Sequence, residues 1–505
     1  MILPTLCIFA VVLNPIHSAN ILFFTIVPSL SHQLFLRSIF RELSLRGHNV
    51  TAVTTDPLRD KTLVNLTEID VGFLHDKFKL LSEEFPVEQS LFYTVHRILF
   101  YTRIATQSIY EKEHVLNVLK YQQFDLVIVE NVSPLAFAIV ANTKTPLIGA
   151  TSFSGMITNH ESVGNPTHPI VTPYMLLPSS TKMTFYERLL SVMFNIFVKF
   201  HYKYFEIPKC EKIAKQYFGN IPSLWEIERN ISLIITNANP IINPVRPNVP
   251  AVVQVYGIPM GVAKRLPKDL QYFLDNSTNG VIYCSLGTSI PCSNTSTTEF
   301  KKLRQVFDEL PYNVLWKCDV SETDESNKIL FKKWMPQQSV LKHPNIKVFV
   351  TQGGVHSIEE SLENGIPMLG LPFFVDQPQN VKKLILEGIG LGANLKTDSV
   401  DQIKRQITEL IENNKYKKAV LDKRNILMDQ PMSGMDKVIW WIEYVLRHKG
   451  ARHLRSAAAD LPFYQYFLLD VIAFFLGAVV FISFITYVVV VYVKRYLQAI
   501  KIKKD

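Results

Sequence analysis

The sequence has few cysteines, and the five it has are scattered along 505 residues. None of them lies in a C-x-x-C pair and no His/Cys cluster has zinc-ligand spacing, so we expect no structural metal site. Five cysteines are also too few for a scaffold built on disulfides. The chain has no G-x-G-x-x-G after its first predicted strand and no G-K-[ST], which argues against a dinucleotide-dependent oxidoreductase and a Walker-type site.

Charged residues are also scarce, at 19% of the chain, while hydrophobic residues make up 48%. This composition excludes intrinsic disorder. The net charge of +9 first suggests nucleic acid or an anionic membrane as a partner. No long basic run interrupts the body, however, and the densest basic stretches are Arg447–Arg455 and Lys494–Lys504 near the C-terminus. We therefore expect a membrane surface and no nucleic acid.

The N-terminus has the features of a secretory signal. The apolar run Ile2–Leu13 is followed by His17-Ser18-Ala19, which predicts a signal peptide over residues 1–19. No basic residue precedes the run, and His17 is large for its place in a cleavage site. A buried first strand therefore stays open as the alternative.

A membrane anchor is predicted near the other end. Residues 471–493 contain no charge, and at 1.5 Å per residue they span about 34 Å, enough to cross a hydrocarbon core. Lys494 and Arg495 follow at once, so the positive-inside rule predicts a cytosolic tail over residues 494–505. Lys501 and Lys503 resemble a dilysine retrieval signal, with a basic stop-transfer flank as the alternative.

These two ends predict a single-pass type I protein of the endoplasmic reticulum membrane with a luminal body. N-x-[ST] sequons in the body fit a luminal glycoprotein, and they begin at Asn49, Asn65, Asn230, Asn276 and Asn294. A further sequon at Asn131 is followed by Pro134.

The body shows a β-α-β rhythm in both halves. Asn20–Val27 and Asn49–Thr55 are strand-like and flank the amphipathic stretch Leu34–Arg46, which predicts a parallel sheet covered by helices. Gly280–Ser285 and Lys347–Thr351 begin the same rhythm again. We predict an α/β fold of two domains facing across a cleft, over residues 20–240 and 253–446. A proline-rich linker over residues 241–252 separates them, and a juxtamembrane segment covers residues 447–470.

Two glycine-containing loops follow predicted strands of the second domain. Glycine lets backbone approach a ligand, and the helix after the second loop offers free N–H groups to a phosphate. The loops together could grip a diphosphate, although ordinary β-α turns remain the alternative, and Ser357 with Glu360 also fits a capping box. The residues concerned are Ser285, Gly287 and Thr288 in the first loop, and Gln352, Gly353, Gly354, His356 and Ser357 in the second.

Two further motifs belong to the same half of the chain. Trp334 stands beside a helix-breaking proline and Gln337, where its ring can stack on a planar base, or it is an ordinary core Trp. Asp376 and Gln377 follow a predicted strand and could hydrogen-bond sugar hydroxyls, or they begin a helix.

One acid–base pair is predicted in the first domain. His32 follows the first strand, and Glu130 ends the strand predicted at Asp125–Val129, so both belong at the carboxyl edge of one sheet. A His oriented by a carboxylate is the usual general base. A loop His that merely lies on the surface is the alternative.

These motifs, in this order, resemble the UDP-glycosyltransferases, and the resemblance covers nearly the whole chain. Residues 349–377, FVTQGGVHSIEESLENGIPMLGLPFFVDQ, resemble the family signature, and Ser31-His32 with residues 41–54 resemble its first β-α-β unit. The variant TQGG is similar to that of the insect and viral branch, and the predicted anchor fits the insect branch. Two positions depart from the common pattern, since Gln352 and Glu130 stand where the family often has His and Asp.

The resemblance implies the GT-B fold, with two Rossmann-like domains. It implies that Trp334 stacks on uracil, that Gln337 and Glu360 hold the ribose, and that Thr288, His356 and Ser357 lie near the phosphates. Asp376 and Gln377 would bind the sugar, and His32 would deprotonate the acceptor with Glu130 behind it.

The expected function is inverting transfer of a hexose, with glucose favoured, from a UDP-sugar to a hydroxyl of a small lipophilic acceptor in detoxification or metabolite conjugation. No cofactor or metal is expected, and a homo-oligomer is left open. UDP-glucuronate as the donor, or a catalytically silent membrane subunit of the same fold, are the alternatives.

Overall fold

The computed structural model describes residues 18–83, 90–177, 183–258, 265–287, 297–320 and 328–502. The chain divides into a body that ends at Arg455 and a C-terminal segment, Ser456–Asp505, and each is described by itself. Thr288, one of the predicted phosphate-loop residues, lies outside the described residues, as do residues 1–17 of the predicted signal and Lys503.

The first sheet of the body has seven parallel strands in the order β3-β2-β1-β4-β5-β6-β7. Its central strands are continuous apolar runs because helices cover both faces of the sheet. In β4, for example, all five residues are buried. The strands are β1 Asn20–Phe24, β2 Asn49–Thr54, β3 Leu66–Asp70, β4 Leu126–Glu130, β5 Leu147–Thr151, β6 Leu233–Asn237 and β7 Val252–Val255.

Helices pack on both faces of this sheet and form two hydrophobic clusters. One cluster joins the sheet to α1, and the other joins it to α3, α4, α7 and a 3-10 helix at Pro134–Val140. The helices of this half are α1 Leu30–Leu45, α2 Leu74–Glu83, α3 Leu91–Tyr110, α4 Glu113–Tyr121, α5 Ile157–Ser162, α6 Phe185–His201, α7 Ile207–Phe218 and α8 Leu224–Glu228. A π-helical turn, Tyr202–Glu206, connects α6 to α7.

The second sheet has six parallel strands in the order β10-β9-β8-β11-β12-β13. They are β8 Val281–Ser285, β9 Asn313–Lys317, β10 Ile329–Lys332, β11 Ile346–Thr351, β12 Met368–Gly370 and β13 Gly390–Gly392. The helices after β7 are α9 Lys268–Asp275, α10 Thr298–Glu309, α11 Gln337–Leu341, α12 Val355–Glu363, α13 Gln377–Leu386, α14 Val400–Glu412, α15 Asn414–Met428 and α16 Gly434–His448.

Counted from its own first strand, each sheet has the order 3-2-1-4-5-6, which is the doubly wound Rossmann order, and the first sheet adds a seventh strand at its edge. In such sheets ligands bind beyond the carboxyl ends of the strands where the winding reverses. That point lies between β1 and β4 in the first sheet and between β8 and β11 in the second. The predicted acid–base pair and the predicted phosphate loops stand at these two points.

The domain division differs from the prediction at both ends of the second domain. Val252–Val255 pairs with β6 of the first sheet, so the proline-rich connection joins two strands of one sheet and is no linker between domains. Helix α16 returns to the first sheet, where Val438 and Ile442 pack in one cluster with Val253. Local patterns could not reveal either feature, because both depend on contacts between distant parts of the chain.

The C-terminal segment contains a short helix, α17 Phe463–Tyr466, and a long one, α18 Leu469–Ile502. Leu469–Ile500 is long and apolar enough to cross a membrane, with a mean hydropathy of 2.7. The predicted span, residues 471–493, lies within it. This helix fits a membrane anchor.

Candidate active site

The carboxyl ends of both sheets open into one cavity of about 990 Å³ within the body. Of the fifteen predicted site residues, Glu130 lies behind His32, Gly353 lies behind the cavity wall and Thr288 lies outside the described residues. The other twelve line the cavity: His32, Ser285, Gly287, Trp334, Gln337, Gln352, Gly354, His356, Ser357, Glu360, Asp376 and Gln377.

His32 and Glu130 form a hydrogen-bonded pair at the edge of the first sheet. Nδ1 of His32 lies 2.6 Å from Oε1 of Glu130, whose side chain is fully buried. The other carboxylate oxygen accepts N–H bonds from Ile26 and Val27 at 2.8 and 2.9 Å. An ionised carboxylate can only accept hydrogen bonds, so Nδ1 of His32 must be the donor and carries the proton. Nε2 then has the free lone pair. This is the tautomer of a general base.

Gln33, which the sequence analysis missed, secures the loop before this pair. Its side-chain oxygen accepts from the hydroxyls of Thr25 and Thr54 at 3.0 and 2.7 Å, and its amide donates to the carbonyl of Val27 at 2.8 Å. The side chain is fully buried. These three hydrogen bonds hold the backbone next to His32 in place.

The two predicted phosphate loops touch each other through Gln352. Gly287 has a φ of +79°, and a Cβ there would stand 2.1 Å from Nε2 of Gln352. Gly353 has a φ of +86°, and a Cβ there would stand 2.6 Å from a methyl of Val381. Both positions therefore require glycine for conformation and for space.

The helix after the second loop begins earlier than predicted. Gly354 is the N-cap residue of α12, so Ser357 stands inside the first turn and does not cap it. The capping-box interpretation of Ser357 and Glu360 is therefore wrong. The first turn of a helix has free N–H groups, and Gly354, Val355, His356 and Ser357 of this turn line the cavity, where they could receive a phosphate.

Gln337 connects the residues predicted to hold the nucleoside. Its oxygen accepts from the hydroxyl of Tyr283 at 3.0 Å, and its amide donates to Ser357 at 3.3 Å and to Glu360 at 2.6 Å. Burial raises the pKa of Glu360 to about 7, while the bond from Gln337 acts in the opposite direction. Tyr283 was not predicted, because a Tyr inside an apolar strand looks like core.

Trp334 offers an exposed ring to the cavity, with 60% of its surface accessible. Nζ of Lys317 lies 4.6 Å from the centre of that ring and donates to the carbonyl of Gly287 at 3.1 Å. Burial lowers the pKa of Lys317. This lysine, which the sequence analysis missed, brings a positive charge between the predicted base-stacking ring and the first phosphate loop.

Asp376 and Gln377 are oriented by their own loop and by Asn380. Oε1 of Gln377 accepts the N–H groups of Phe373 and Phe374, at 2.8 and 3.2 Å. The amide of Asn380 donates to Asp376 at 2.8 Å and to the carbonyl of Gly353 at 2.9 Å. Asn380, which was also missed, stands four residues after Asp376 on helix α13, and this i, i+4 spacing was the available signal.

His32 of the first domain influences the pKa values of Asp376 and His356 of the second domain. Burial raises the pKa of Asp376, and the charge of His32 acts against this rise. The pKa of His356 is lowered to about 4, mainly by burial and to a smaller extent by His32, while the bond to Ser152 acts in the opposite direction. The neutral His356 ring donates from Nε2 to the carbonyl of Ser152 at 3.1 Å, so here it offers no N–H to a phosphate.

An apolar wall lies on the first-domain side of the cavity. It comes from segments after β3 in which no acceptor residue was predicted, because their aromatic and aliphatic residues look like ordinary core. The wall includes Phe78, Ile98, Tyr101, Val132, Phe153, Met156 and Met175. Among the described residues, no group of three or more His, Cys, Asp or Glu could hold a metal ion.

Two Rossmann-ordered domains around one cleft are the GT-B class of glycosyltransferases, and solved structures share this fold. One is titled the glycotransferase of kitacinnamycin, with a TM-score of 0.56 and 17% identity over 85% of this chain and 99% of that one. Another is the spinosyn forosaminyltransferase SpnP, with a TM-score of 0.54 and 14% identity over 85% of this chain and 99% of that one.

The family model described as "UDP-glucoronosyl and UDP-glucosyl transferase" matches residues 21–504. UDP-glycosyltransferase UGT5 of Dactylopius coccus is 33% identical, over 93% of this chain and 91% of that protein. The ecdysteroid UDP-glucosyltransferase of Spodoptera littoralis nuclear polyhedrosis virus is 31% identical over 88% and 91%. Human UDP-glucuronosyltransferase 2B10 is 29% identical over 89% of each chain. The chain therefore belongs to the UDP-glycosyltransferase family and is a UDP-sugar-dependent transferase.

Proposed function

We propose that this enzyme transfers glucose from UDP-glucose to a hydroxyl group of a small lipophilic acceptor, with inversion at the anomeric carbon. The observation that carries this proposal is the bond between Nδ1 of His32 and Glu130, which leaves Nε2 free at the cleft. A base at this place, across the cleft from Asp376 and Gln377, suits an acceptor hydroxyl attacking a sugar held by those two residues.

The reaction proceeds in one displacement. The acceptor oxygen attacks the anomeric carbon from the face opposite UDP while His32 takes its proton, the bond from that carbon to the phosphate oxygen breaks, and UDP leaves. Glu130 stabilises the imidazolium that forms. The first turn of α12 and Lys317 stabilise the charge that develops on the phosphates. This displacement needs no covalent enzyme intermediate and no metal ion.

The acceptor class is supported by the apolar wall. Its aromatic and thioether side chains favour a small hydrophobic molecule. Conjugation of such a molecule with a sugar makes it water-soluble, which is the chemistry of detoxification.

Glucose is favoured as the donor sugar. UDP-glucosyltransferase 2 of Dactylopius coccus, 30% identical over 93% of this chain, is named for it. One observation favours UDP-glucuronate instead. Arg246 lines a small cavity of about 80 Å³ together with Asp376 and Asn380, and burial lowers its pKa to about 10. A guanidinium beside the predicted sugar site could receive a carboxylate.

The enzyme is proposed to work in the endoplasmic reticulum, with its body in the lumen and its tail in the cytosol. The apolar helix α18 and the basic tail support this orientation. The disulfide at Cys318 also suits an oxidising compartment.

Microsomes that contain the full chain test the proposal directly. With UDP-glucose and UDP-glucuronate supplied in parallel to a mixture of phenols and sterols, we expect glucosides of inverted configuration. His32→Ala should abolish transfer and leave UDP affinity unchanged, because the first domain holds the base and the second holds the nucleotide. Turnover near the wild-type rate in that variant would refute the assignment, and a wild-type chain silent with both donors would favour the catalytically silent subunit.

A further inference from the structure

Helix α12 contacts the first domain through a face that the proposed reaction does not use. His356 and Glu359, three residues apart and therefore on one side of the helix, both reach residues at the ends of first-sheet strands. The His356 ring donates to the carbonyl of Ser152, just after β5. Glu359 accepts from the amides of Asn237 and Asn239, at the end of β6.

The Glu359 contact is a buried carboxylate held by two neutral amides. Its Oε2 lies 3.0 Å from Nδ2 of Asn237 and its Oε1 lies 3.1 Å from Nδ2 of Asn239. The three residues are 4%, 0% and 2% exposed. Burial raises the pKa of Glu359 to about 7, and the two amide bonds act against that rise. Burying a carboxylate costs free energy, so we expect a carboxylate in a buried position to have a specific role there.

The first-domain side of this contact is rigid. Asn237 is the last residue of β6. The side-chain oxygen of Asn239 accepts hydrogen bonds from the backbone N–H groups of Ile241 and Ile242, both at 3.1 Å. The backbone N–H of Asn239 donates to the side-chain oxygen of Asn243 at 2.9 Å. Glu359 is therefore bonded to the end of the first sheet through Asn237, while Asn239 leads on to Ile241 and Ile242, which pack in the core of the second domain.

We propose that Glu359 is a positioning residue for glycosyl transfer. By holding α12 to Asn237, at the end of a first-sheet strand, it sets the distance between the phosphate-binding turn on one domain and His32 on the other. Helix α12 begins at the predicted phosphate loop, while β6 is two strands from β4, which ends in Glu130. This inference rests on the proposed function. It matters for rate because a misplacement of about 1 Å between reacting groups can cost about a hundredfold.

A reciprocal swap of amide and carboxylate tests the contact. Glu359→Gln alone is expected to keep the bond, because the oxygen of Asn237 has no partner among the described residues and its amide can turn to accept from the new NH₂ group. Asn237→Asp places two carboxylates together, and the double variant restores the bond with its polarity reversed. Glu363→Gln is the control, because it removes a partly buried carboxylate one turn later on α12. Should Asn237→Asp not fold, Glu359→Asp, which shortens the reach to Asn237, takes its place.

Two measurements on the full chain in detergent decide the outcome. We expect Asn237→Asp to lower kcat by at least about tenfold while UDP affinity stays unchanged, and we expect the double variant to recover most of that loss. Spin labels at the exposed positions Val64→Cys and Ile426→Cys should report a broader distance distribution between the domains in Asn237→Asp, narrowed again in the double variant.

The proposal is overturned if UDP affinity falls as much as kcat, which would mark a role inside the donor site alone. It is also overturned if the swap recovers nothing or if the distance distributions are the same in all variants. The spin-label distances need no turnover. A wild-type chain that transfers no sugar would therefore remove the proposed function, while the distances would still report on the contact.

Discussion

The imidazole of His32 is held by a carboxylate whose second oxygen is already bound to two backbone N–H groups. This arrangement settles which ring nitrogen is protonated, and it does so from the backbone of the loop between β1 and α1. It also explains why Glu can stand where the resemblance leads one to expect Asp. The longer side chain of Glu130 reaches both the loop and the ring.

At this pair we predict that Glu130→Gln lowers kcat by about 10²- to 10⁴-fold, the usual contribution of general-base catalysis. The oxygen of Gln would keep the bonds from Ile26 and Val27, so its NH₂ group would face Nδ1 and favour the tautomer whose Nε2 is protonated. Steady-state kinetics with UDP binding measured alongside gives the answer. Glu130→Asp, which keeps an acceptor, is expected to retain more activity, and equal losses in the two variants would contradict the tautomer argument.

A second prediction concerns Gly287. Gly287→Ala adds a Cβ that clashes with Gln352 and imposes a left-handed conformation costing about 1–2 kcal/mol, so both stability and UDP affinity should fall. We expect about a tenfold loss of affinity, equivalent to about 1.4 kcal/mol. Gly388→Ala is the matched control, because Gly388 has a φ of +69° with nothing within 4 Å of the added atom. Calorimetric titration should show weaker UDP binding only in Gly287→Ala, and equal binding in both would contradict the prediction.

At the scale of elements, sequence patterns located the strands of the site closely. The predicted strand Lys347–Thr351 begins one residue after the start of β11, and Gly280–Ser285 begins one residue before β8, and both end where the observed strands end. Such accuracy is possible because buried parallel strands are short apolar runs bounded by turn residues. The start of α12 was harder to predict from the sequence. Gly354 caps the helix without a side chain, and Ser357, the first residue that looks like a cap, lies inside the helix.

Helix α12 also carries two buried carboxyl groups, Glu359 and Glu360, and burial raises the pKa of each to about 7. A carboxyl whose pKa rises on folding binds its proton more readily in the folded state. Its stabilising contribution is complete below the unfolded pKa of about 4.5 and is lost as the pH rises through about 7. The free energy of unfolding should therefore fall between these two pH values.

We predict that the melting temperature of the full chain in detergent is lower at pH 8 than at pH 5, and that Glu360→Gln reduces this difference. The matched control is Glu309→Gln. Lys404 holds the pKa of the exposed Glu309 below its usual value, so that group is ionised throughout this range. A pH dependence equally steep in Glu360→Gln and wild type would show that Glu360 does not titrate there.

At the scale of the whole molecule, the division into domains was the part that sequence could not supply. Four residues of α16, Val438, Ile439, Ile442 and Val445, are fully buried against the first sheet. Burying each such side chain contributes about 1.5–3 kcal/mol of free energy, so the packing of this helix on the first sheet adds substantially to the stability of the body. An amphipathic helix shows that it must pack, but its pattern does not say on which sheet.

The apolar wall of the cavity could not be predicted for a related reason. The residues that line it, such as Phe78 and Tyr101, come from helices α2 and α3, while Met156 and Met175 come from later segments. Nothing in their spacing separates a cavity wall from a core, since both are apolar. The turns that we propose for the nucleotide could be recognised in the sequence because they need particular residues, whereas the proposed acceptor side needs only shape.

The proposed luminal orientation of the body leads to the last prediction, which concerns N-glycosylation. Asn230 and Asn276 begin sequons and are exposed, whereas the sequon residue Asn131 is 1% exposed and lies beside the catalytic pair. A body that enters the lumen should therefore carry glycans at the first two sites and none at the third. Endoglycosidase H should lower the apparent mass of the wild-type chain, and Asn230→Gln and Asn276→Gln should each remove one step, while Asn131→Gln changes nothing. A chain whose mass is unaffected by the enzyme would place the body on the cytosolic side and reverse the proposed topology.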